Sequence, residues 1–364
     1  MKVSVESIKN ATTALLMSLG AEEAEAKLVA ENLAKAELRG ISTHGINFLP
    51  MIVERIEKGL LDVPTKVTVV SEREATAHLD GGNGLGQVVA TEAMRRSITN
   101  ARKYGTGVTV VRNTNHVGLL AFYTLMAASE GMIGICMCNS APAMAPWGGA
   151  EPFFGTNPFS VACPSGSSRP VVLDMSTSVV ARGKIRRAAR LDQRIAPNWA
   201  LDSNGSPTDD PQAALKGTLL PIGGAKGYGL AFFVDLLSGL LSGSKYSRAV
   251  STFHQPIEPT GVGVMTMAID ITRFMPLDTF EKLVREHAGS IRESVRAEGV
   301  ERIYLPGEIE AELEERSEGQ SVEVDDAVGD LIEKLLRERH IGFSLGGDTP
   351  ADQTSDPKLK ERSR

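Results

Sequence analysis

The chain reads as an α+β protein built around a largely antiparallel or mixed sheet, and three observations carry that reading. Helix and strand patterns alternate through the middle of the 364 residues, which by itself points to stacked α and β layers. The glycine-rich turn GGNGLG at 81–86 stands where a dinucleotide fingerprint would be sought. It fits G-x-G-x-x-G in no frame: from Gly82 the last position falls on Gln87, and from Gly81 the third falls on Asn83. Many middle strands are separated by short turns and not by crossover helices, which favours antiparallel or mixed pairing. At this length two domains are expected.

Taken in order, residues 4–20 carry Ile8, Leu15, Leu16 and Leu19 at helical spacing and stop at Gly20. Residues 21–39 form a second helix, rich in Ala and Glu, with Leu28 and Leu33 facing inward. The loop RGISTHGINFLP follows. Pro50 suits the first turn of a third helix that Gly59 ends, so His44 lies just ahead of a helix start. Strands are expected near Lys66 (KVTVVS) and Ala75 (ATAHLD), then a helix over 87–104. Further strands fall at 107–112, 132–138, 159–163 and 170–175, with a helix at 118–130. Residues 182–194 are a basic helix-like run, and 201–211 a turn-rich loop. A second glycine loop, IGGAKGYG at 222–229, leads into a helix at 228–241 that is apolar on nearly every face. Such a helix is expected to be buried, partly against a second subunit. A strand at 261–269, a helix near 278–290, and strand then turn in RIYLPGE at 302–308 follow. Val328, Leu331, Ile332, Leu335 and Leu336 mark a last amphipathic helix, and the polar tail 346–364 is expected to be disordered.

A composition of 42% hydrophobic and 23% charged residues is that of an ordinary globular enzyme, and a net charge of −6 argues against a nucleic-acid surface. Cys136, Cys138 and Cys163 have neither zinc spacing nor a disulfide framework, so a reducing compartment is expected. The opening MKVSVESIKN holds no apolar signal segment. The longest apolar run, Tyr228 to Leu241, is too short to span a bilayer and contains Asp235. The expectation is a cytoplasmic protein with no membrane partner.

Polar residues that end strands beside glycines are where sites are built on rigid scaffolds, and 113–158 concentrates them. The reading is one wall of a nicotinamide-dependent dehydrogenase site. Hydride transfer needs a side chain to take or return the hydroxyl proton, and histidine titrates near working pH. Of six histidines, His44 (STHG) and His116 (NTNHVG) each sit in an irregular segment beside hydrogen-bonding residues and just before or near a glycine. Their plain alternative is a loop histidine satisfying local backbone groups. His78, His287 and His340 read as structural or surface residues, and His254 as an uninformative loop residue. Neither metal-binding H-E-x-x-H nor the hydrolase elbow G-x-S-x-G is present, so no metal site is expected. Asp174 ends an apolar strand and could orient a histidine or bind a ribose hydroxyl, or merely cap a turn. Lys226 at a helix N-terminus suits a pyrophosphate, against a solvated lysine in a glycine loop. The basic run could meet an adenosine 2′-phosphate, although a solvated helix face is the plainer account.

RGISTHG, NTNHVG, NSAPAMAPWGG, GTNP, LDMSTS, LLPIGGAKGYGL and YLPGE stand here in the order found in the malate/L-lactate dehydrogenase family that lacks a Rossmann domain, and the chain resembles that family over roughly residues 4–340. The resemblance implies an NAD- or NADP-dependent oxidoreductase of small 2-hydroxy acids. It implies a helical domain from 1–75 with 280–345 beside a non-Rossmann nicotinamide-binding domain at 76–279. It implies a homodimer with sites near the subunit interface. His44 and His116 would face the substrate, one as acid/base, with Phe48, Asn115 and Asn157 as substrate contacts. Ser140, Asp174, Met175, Ser176, Lys226, Pro306, Gly307 and Glu308 match the family's cofactor contacts.

The loop around His44 departs from the family pattern. Thr43 stands for Ser, Phe48 for the Arg that clamps the substrate carboxylate, and Ile52 for an aromatic residue. A bidentate clamp is not easily imitated, so another cation, with Arg39 and Lys184 as candidates, must reach in, or the substrate presents an apolar group there. Two other readings follow from that loss: a catalytically silent nucleotide-binding or assembly homologue, and a reductase of a cyclic imine or ketone.

Overall fold

The computed structural model describes residues 1–317 and 321–346. The expected disordered tail falls almost wholly at 347–364, outside the described residues. The chain opens with β1 (Lys2–Ser4), α1 (Val5–Ser18), α2 (Glu23–Leu38) and α3 (Leu49–Glu57). The central part runs β2 (Thr68–Arg73), β3 (Thr76–Asp80), α4 (Gly86–Tyr104), β4 (Thr106–Thr114), α5 (Ala121–Ser129), β5 (Met132–Cys138), β6 (Phe159–Cys163) and β7 (Val171–Met175). Then come α6 (Arg182–Arg190), β8 (Ala200–Leu201), α7 (Pro211–Lys216), β9 (Thr218–Leu219), α8 (Ala225–Val234) and β10 (Val262–Asp270). The chain closes with α9 (Leu277–Glu293), α10 (Glu308–Ser317), β11 (Ser321–Glu323) and α11 (Asp326–Glu338).

Seven strands form one mixed sheet in the order β2-β3-β4-β10-β5-β6-β7. Only β3 and β4 run parallel; every other neighbouring pair is antiparallel. The parallel pair is the one joined by a long helix, as a crossover requires. Residues of β5 alternate, with Met132, Gly134, Cys136 and Cys138 buried and the residues between them half-exposed, so one sheet face packs on α4 and α5. The expected α+β class with a mixed sheet holds. The doubly wound alternative fails because β10 returns to the middle of the sheet, between β4 and β5.

A separate core joins the two ends of the chain. Ile8, Leu15, Leu16, Val29, Leu33, Ile52 and Val53 pack with Val322, Val324, Ile332 and Leu336, and β1 pairs antiparallel with β11. Leu16 is fully buried there, and its truncation to Ala is expected to cost about 2–5 kcal/mol. β2 belongs to the sheet although it precedes residue 76.

Some expectations change. Residues 302–308 form no strand; the segment is irregular and Glu308 opens α10, whose EIEAELEERS hides its periodicity under charge. The helix expected at 228–241 begins earlier, at Ala225, and its last part, Asp235–Leu240, is a π-helical turn. It is also not buried: Leu230, Phe233, Leu240 and Leu241 are 43%, 60%, 48% and 57% exposed. Ala231 and Val234 supply the buried side, so this helix has two faces despite its uniform composition.

Candidate active site

One end of the sheet gathers nearly all the residues singled out above. Thr114 at the end of β4 lies opposite Val262 at the start of β10, and Val264 lies opposite Cys138 at the end of β5. Met137 pairs with Phe159 at the start of β6, and Phe159 with Met175 at the end of β7. His116, His254, Ser140, Asn157 and Ser176 therefore all leave or enter the sheet at one edge. The helical layer brings His44 and Phe48 to the same edge in two short 3₁₀ turns, Ser42–His44 and Ile46–Phe48. Gly45 between them admits no side chain: a Cβ would sit 2.0 Å from Oε1 of Glu37. That carboxylate accepts the Ile46 N–H at 2.9 Å and ties the turn to α2.

The glycine turn at 81–86 cradles protein. A Cβ on Gly86 would lie 2.3 Å from the His116 carbonyl oxygen. Asn115 donates to the carbonyls of Asn83 (2.8 Å) and Gly84 (3.0 Å). This turn exists to let the segment carrying His116 pass close, which explains why it lacks the phosphate spacing.

At the centre His116 and His44 lie with ring centroids 5.4 Å apart. Phe48 stacks on His116 at 4.0 Å and 13° and lies 6.0 Å from His44. Phe253 and His254 complete the ring cluster, 5.8 and 6.0 Å from Phe48. Phe253 is backed by the buried Arg55, whose guanidinium sits 4.9 Å from its ring and donates to the Glu258 carbonyl at 2.6 Å. Nδ1 of His116 accepts the Gly118 N–H at 3.1 Å. An N–H can only donate, so the neutral ring carries its proton on Nε2. Nδ1 of His44 is 3.1 Å from Oγ1 of Thr43, a hydroxyl that can accept as well as donate.

Burial lowers the pKa of His44 to about 4. It pushes His116 well below the usual imidazole value, with His44 and His254 adding like-charge repulsion. His254 falls to about 4 through burial and then the charges of Arg186 and Arg182. All three rings are neutral at pH 7.

The second wall follows β7. Oδ2 of Asp174 accepts the N–H of Ala121, the first residue of α5, at 2.7 Å, and burial raises its pKa to about 6. Val172 donates to the Pro306 carbonyl at 3.1 Å, and Ile222 to the Thr177 carbonyl at 2.9 Å. These bonds lay Pro306–Gly307 and the glycine loop of Lys226 beside the β7 exit. Lys226 is exposed at the start of α8, with no carboxylate within ion-pair distance among the described residues.

Some expected contacts are already spent. Asn115 also receives the Thr260 hydroxyl on Oδ1 at 2.9 Å. Asn157 is fully buried, accepting from Ser140 N–H (3.2 Å) and donating to the Ala231 carbonyl (2.9 Å). Both have each side-chain polar atom in a hydrogen bond to the frame. Glu308 has Oε1 on Arg292 and Arg302 and Oε2 on the Leu305 N–H, so its carboxylate fixes the loop that carries Pro306 and Gly307. Of the two cations expected to stand in for the arginine absent at 48, Arg39 is paired with Glu314 at 3.0 Å, and Lys184 is exposed on α6. Sequence reasoning missed Phe253 and His254, and weighed Arg182 and Arg186 only within the basic run 182–194. The i,i+4 spacing of the two arginines was a usable signal; TFHQP offered none.

A sheet without a dinucleotide fingerprint, with His116 at a strand end and His44 brought to it by the helical layer, suits a class of hydride-transfer site apart from the Rossmann enzymes. Comparison with known proteins makes it specific. The family model of malate/L-lactate dehydrogenase matches residues 3–333. Malate dehydrogenase of Pyrococcus abyssi is 42% identical over 302 residues, covering 81% of this chain and 83% of that one. L-sulfolactate dehydrogenase of Methanothermobacter thermautotrophicus is 36% identical over 345 residues, 95% and 99% of the two chains. The solved sulfolactate dehydrogenase of Methanocaldococcus jannaschii superposes with a TM-score of 0.89 at 36% identity, covering 95% of this chain and 99% of that one. The chain belongs to the malate/L-lactate dehydrogenase family. It is an oxidoreductase acting on a CH–OH group with NAD or NADP, and relatives carry names specifying each cofactor.

Proposed function

We propose that this protein interconverts a small 2-hydroxy acid of the malate or lactate kind and its 2-oxo acid at the histidine pair. The observation that carries the reading is the pair itself: two neutral rings 5.4 Å apart whose outer nitrogens are held differently. His116 has Nδ1 occupied by the Gly118 N–H, so it presents Nε2–H and donates to the substrate oxygen. His44 can donate Nδ1–H to Thr43, which leaves its Nε2 lone pair to take the hydroxyl proton. The nicotinamide, when bound, accepts the hydride. Lys226 suits the cofactor phosphates, and Asp174, Ser176 and Ser140 suit its hydroxyl and amide groups. Met175, Pro306 and Gly307 frame that wall. The residues fit the group because Lys226 is exposed and Asp174 has only one oxygen in a hydrogen bond among the described residues.

A homodimer is part of the same reading. Leu230, Phe233, Leu240 and Leu241 make an exposed apolar stripe of a kind that monomers seldom keep. The three free cysteines suit a reducing, cytoplasmic setting. No helix among the described residues is long and apolar enough to cross a membrane.

The test is a panel of 2-oxo acids, cyclic imines and neutral ketones, followed at the nicotinamide absorbance with both cofactors. Turnover of the oxo acids is expected. Nicotinamide binding without turnover of any of them would favour the silent homologue, and turnover of only imines or ketones would move the protein to a reductase. Sedimentation showing a stable monomer at micromolar concentration would remove the dimer.

A further inference from the structure

The site has lost one cation and has acquired another that the sequence comparison alone does not reveal. α6 lies against the catalytic turn: a Cβ on Gly183 would come 2.9 Å from Cγ2 of Thr43, the residue whose hydroxyl meets His44. One helical turn separates Arg182 from Arg186, so the two share a face. Nη1 of Arg186 lies 2.8 Å from Nε2 of His254. A guanidinium can only donate, so Nε2 of His254 accepts and its proton sits on Nδ1, 3.1 Å from the thioether of Met51. His254 is thus a neutral spacer between Arg186 and the ring cluster, 6.0 Å from Phe48.

The partners of these arginines are unusual for this segment. Farther along it, Arg190 is paired with Asp325 and Arg194 with Asp209. Arg182 and Arg186 are half-buried, and neither has a carboxylate within 4.0 Å among the described residues. Arg182 donates to the Leu215 carbonyl at 2.8 Å; Arg186 spends one donor on His254 and keeps the rest. Burial lowers the pKa of both, and Arg182 further lowers that of Arg186. Partly desolvated like charges without a counter-ion cost the fold, and that cost is offset when an anion binds.

We propose that Arg186, supported by Arg182 and bonded to His254, binds a carboxylate of the substrate in place of the arginine absent at position 48, and so selects acids over neutral carbonyl compounds. The inference rests on the dehydrogenase reading for its substrate, not for its site. A planar carboxylate can take two parallel N–H bonds from the guanidinium. An Arg186→Met variant is therefore expected to raise the KM for malate about 10–100-fold, as befits a charged hydrogen bond of ~1.5–3 kcal/mol. Its kcat should change little and the cofactor KM not at all. Lactate separates the two carboxylates: a KM rise for both acids places the group next to the carbinol at Arg186, and a rise for malate alone places the distal one there. A rise in the cofactor KM instead, or no change for either acid, would overturn the assignment.

A measurement independent of turnover accompanies it. Malonate, as an unreactive dicarboxylate probe, should raise the melting temperature of the wild type and not that of Arg186→Met, while Arg186→Lys should retain part of the shift. Equal shifts in wild type and Arg186→Met, or none in either, would sink the anion site. A wild type inactive on every hydroxy acid but protected by malonate through Arg186 would sink the proposed reaction and leave the site standing.

Discussion

On the substrate side of the sheet edge, four rings from three separate segments lie 4.0–6.0 Å from Phe48, and the groups that matter keep unused capacity. On the cofactor side the expected residues are largely stitched to the frame: Asp174 to α5, Pro306 to β7, and Glu308 to two arginines and the backbone. The contrast teaches how to read a motif. A residue can match a family pattern because it touches the ligand or because it fixes the loop that does. The count of its hydrogen bonds decides between the two. By that count His44, His116, Lys226 and Arg186 keep polar capacity for a ligand, while Asn115, Asn157 and Glu308 are bonded into the walls.

The largest effect should come from the histidines. His44→Ala is expected to lower kcat about 10²–10⁴-fold, the range for a lost general base. His116→Ala should lower it about 10²–10³-fold, the range for a lost donor to a charge-developing oxygen. Asn in place of His116 keeps an N–H and should recover part of the loss; Asn in place of His44 should recover none. For the wild type, kcat/KM in the oxidation direction should fall as pH drops through about 4, where His44 takes up its proton, and not through 6.5. An acid limb near 6.5, or a His44→Asn variant with near-normal kcat, would exchange the roles or remove them.

Phe48→Arg sharpens the same wall. Position 48 is only 7% exposed and stacked on His116. An arginine there is largely desolvated beside neutral rings, so a stability loss of several kcal/mol is expected, read as a lower melting temperature. Because Arg186 is already assigned to the carboxylate, kcat/KM for malate and lactate should not rise. A marked rise for these acids would put the carboxylate at the Phe48 end of the pocket. On the other wall, Lys226→Ala should raise the cofactor KM about tenfold, as for a lost charge-assisted contact, with the substrate KM unchanged. Equal effects on both would take Lys226 away from the phosphates.

How far the sequence could be read follows the same division. Periodicity placed β5 and β6 to the residue and put most helices within a few residues, because their buried faces repeat regularly. It failed at α10, where every second or third residue is acidic, and at α8, whose exposed stripe is as apolar as its buried face. His44 and His116 stood out through their loop context. Their contact could not, since 71 residues of chain separate them and only the shared sheet edge brings them together. His254 was beyond reach for that reason, and Arg186 stood only as one residue of the basic run 182–194 until the fold set one against the other.

The last effect, expected on stability alone, concerns Glu37, which faces the turn of His44 from the end of α2. Its carboxylate is buried against Gly45 and, among the described residues, receives only the Ile46 N–H. Burial raises its pKa from 4.5 to about 7, against the lowering influence of that bond. A carboxyl group whose folded pKa is raised destabilises the fold where the unfolded chain ionises and the folded one does not. The penalty is absent below about 4.5, grows through the window to about 7, and is full above it. The buried histidines work in the opposite sense, because the unfolded chain gains their protons as pH falls below 6.5. Wild-type stability alone would therefore mix the two. The difference between Glu37→Gln and wild type isolates the carboxyl group, since glutamine keeps an oxygen for the Ile46 N–H and cannot ionise. The variant should match the wild type near pH 4.5 and exceed it by about 1–3 kcal/mol at pH 8, measured as denaturant midpoints at both values. A difference that does not change with pH would mean that Glu37 ionises normally in the fold, held by Ile46 alone.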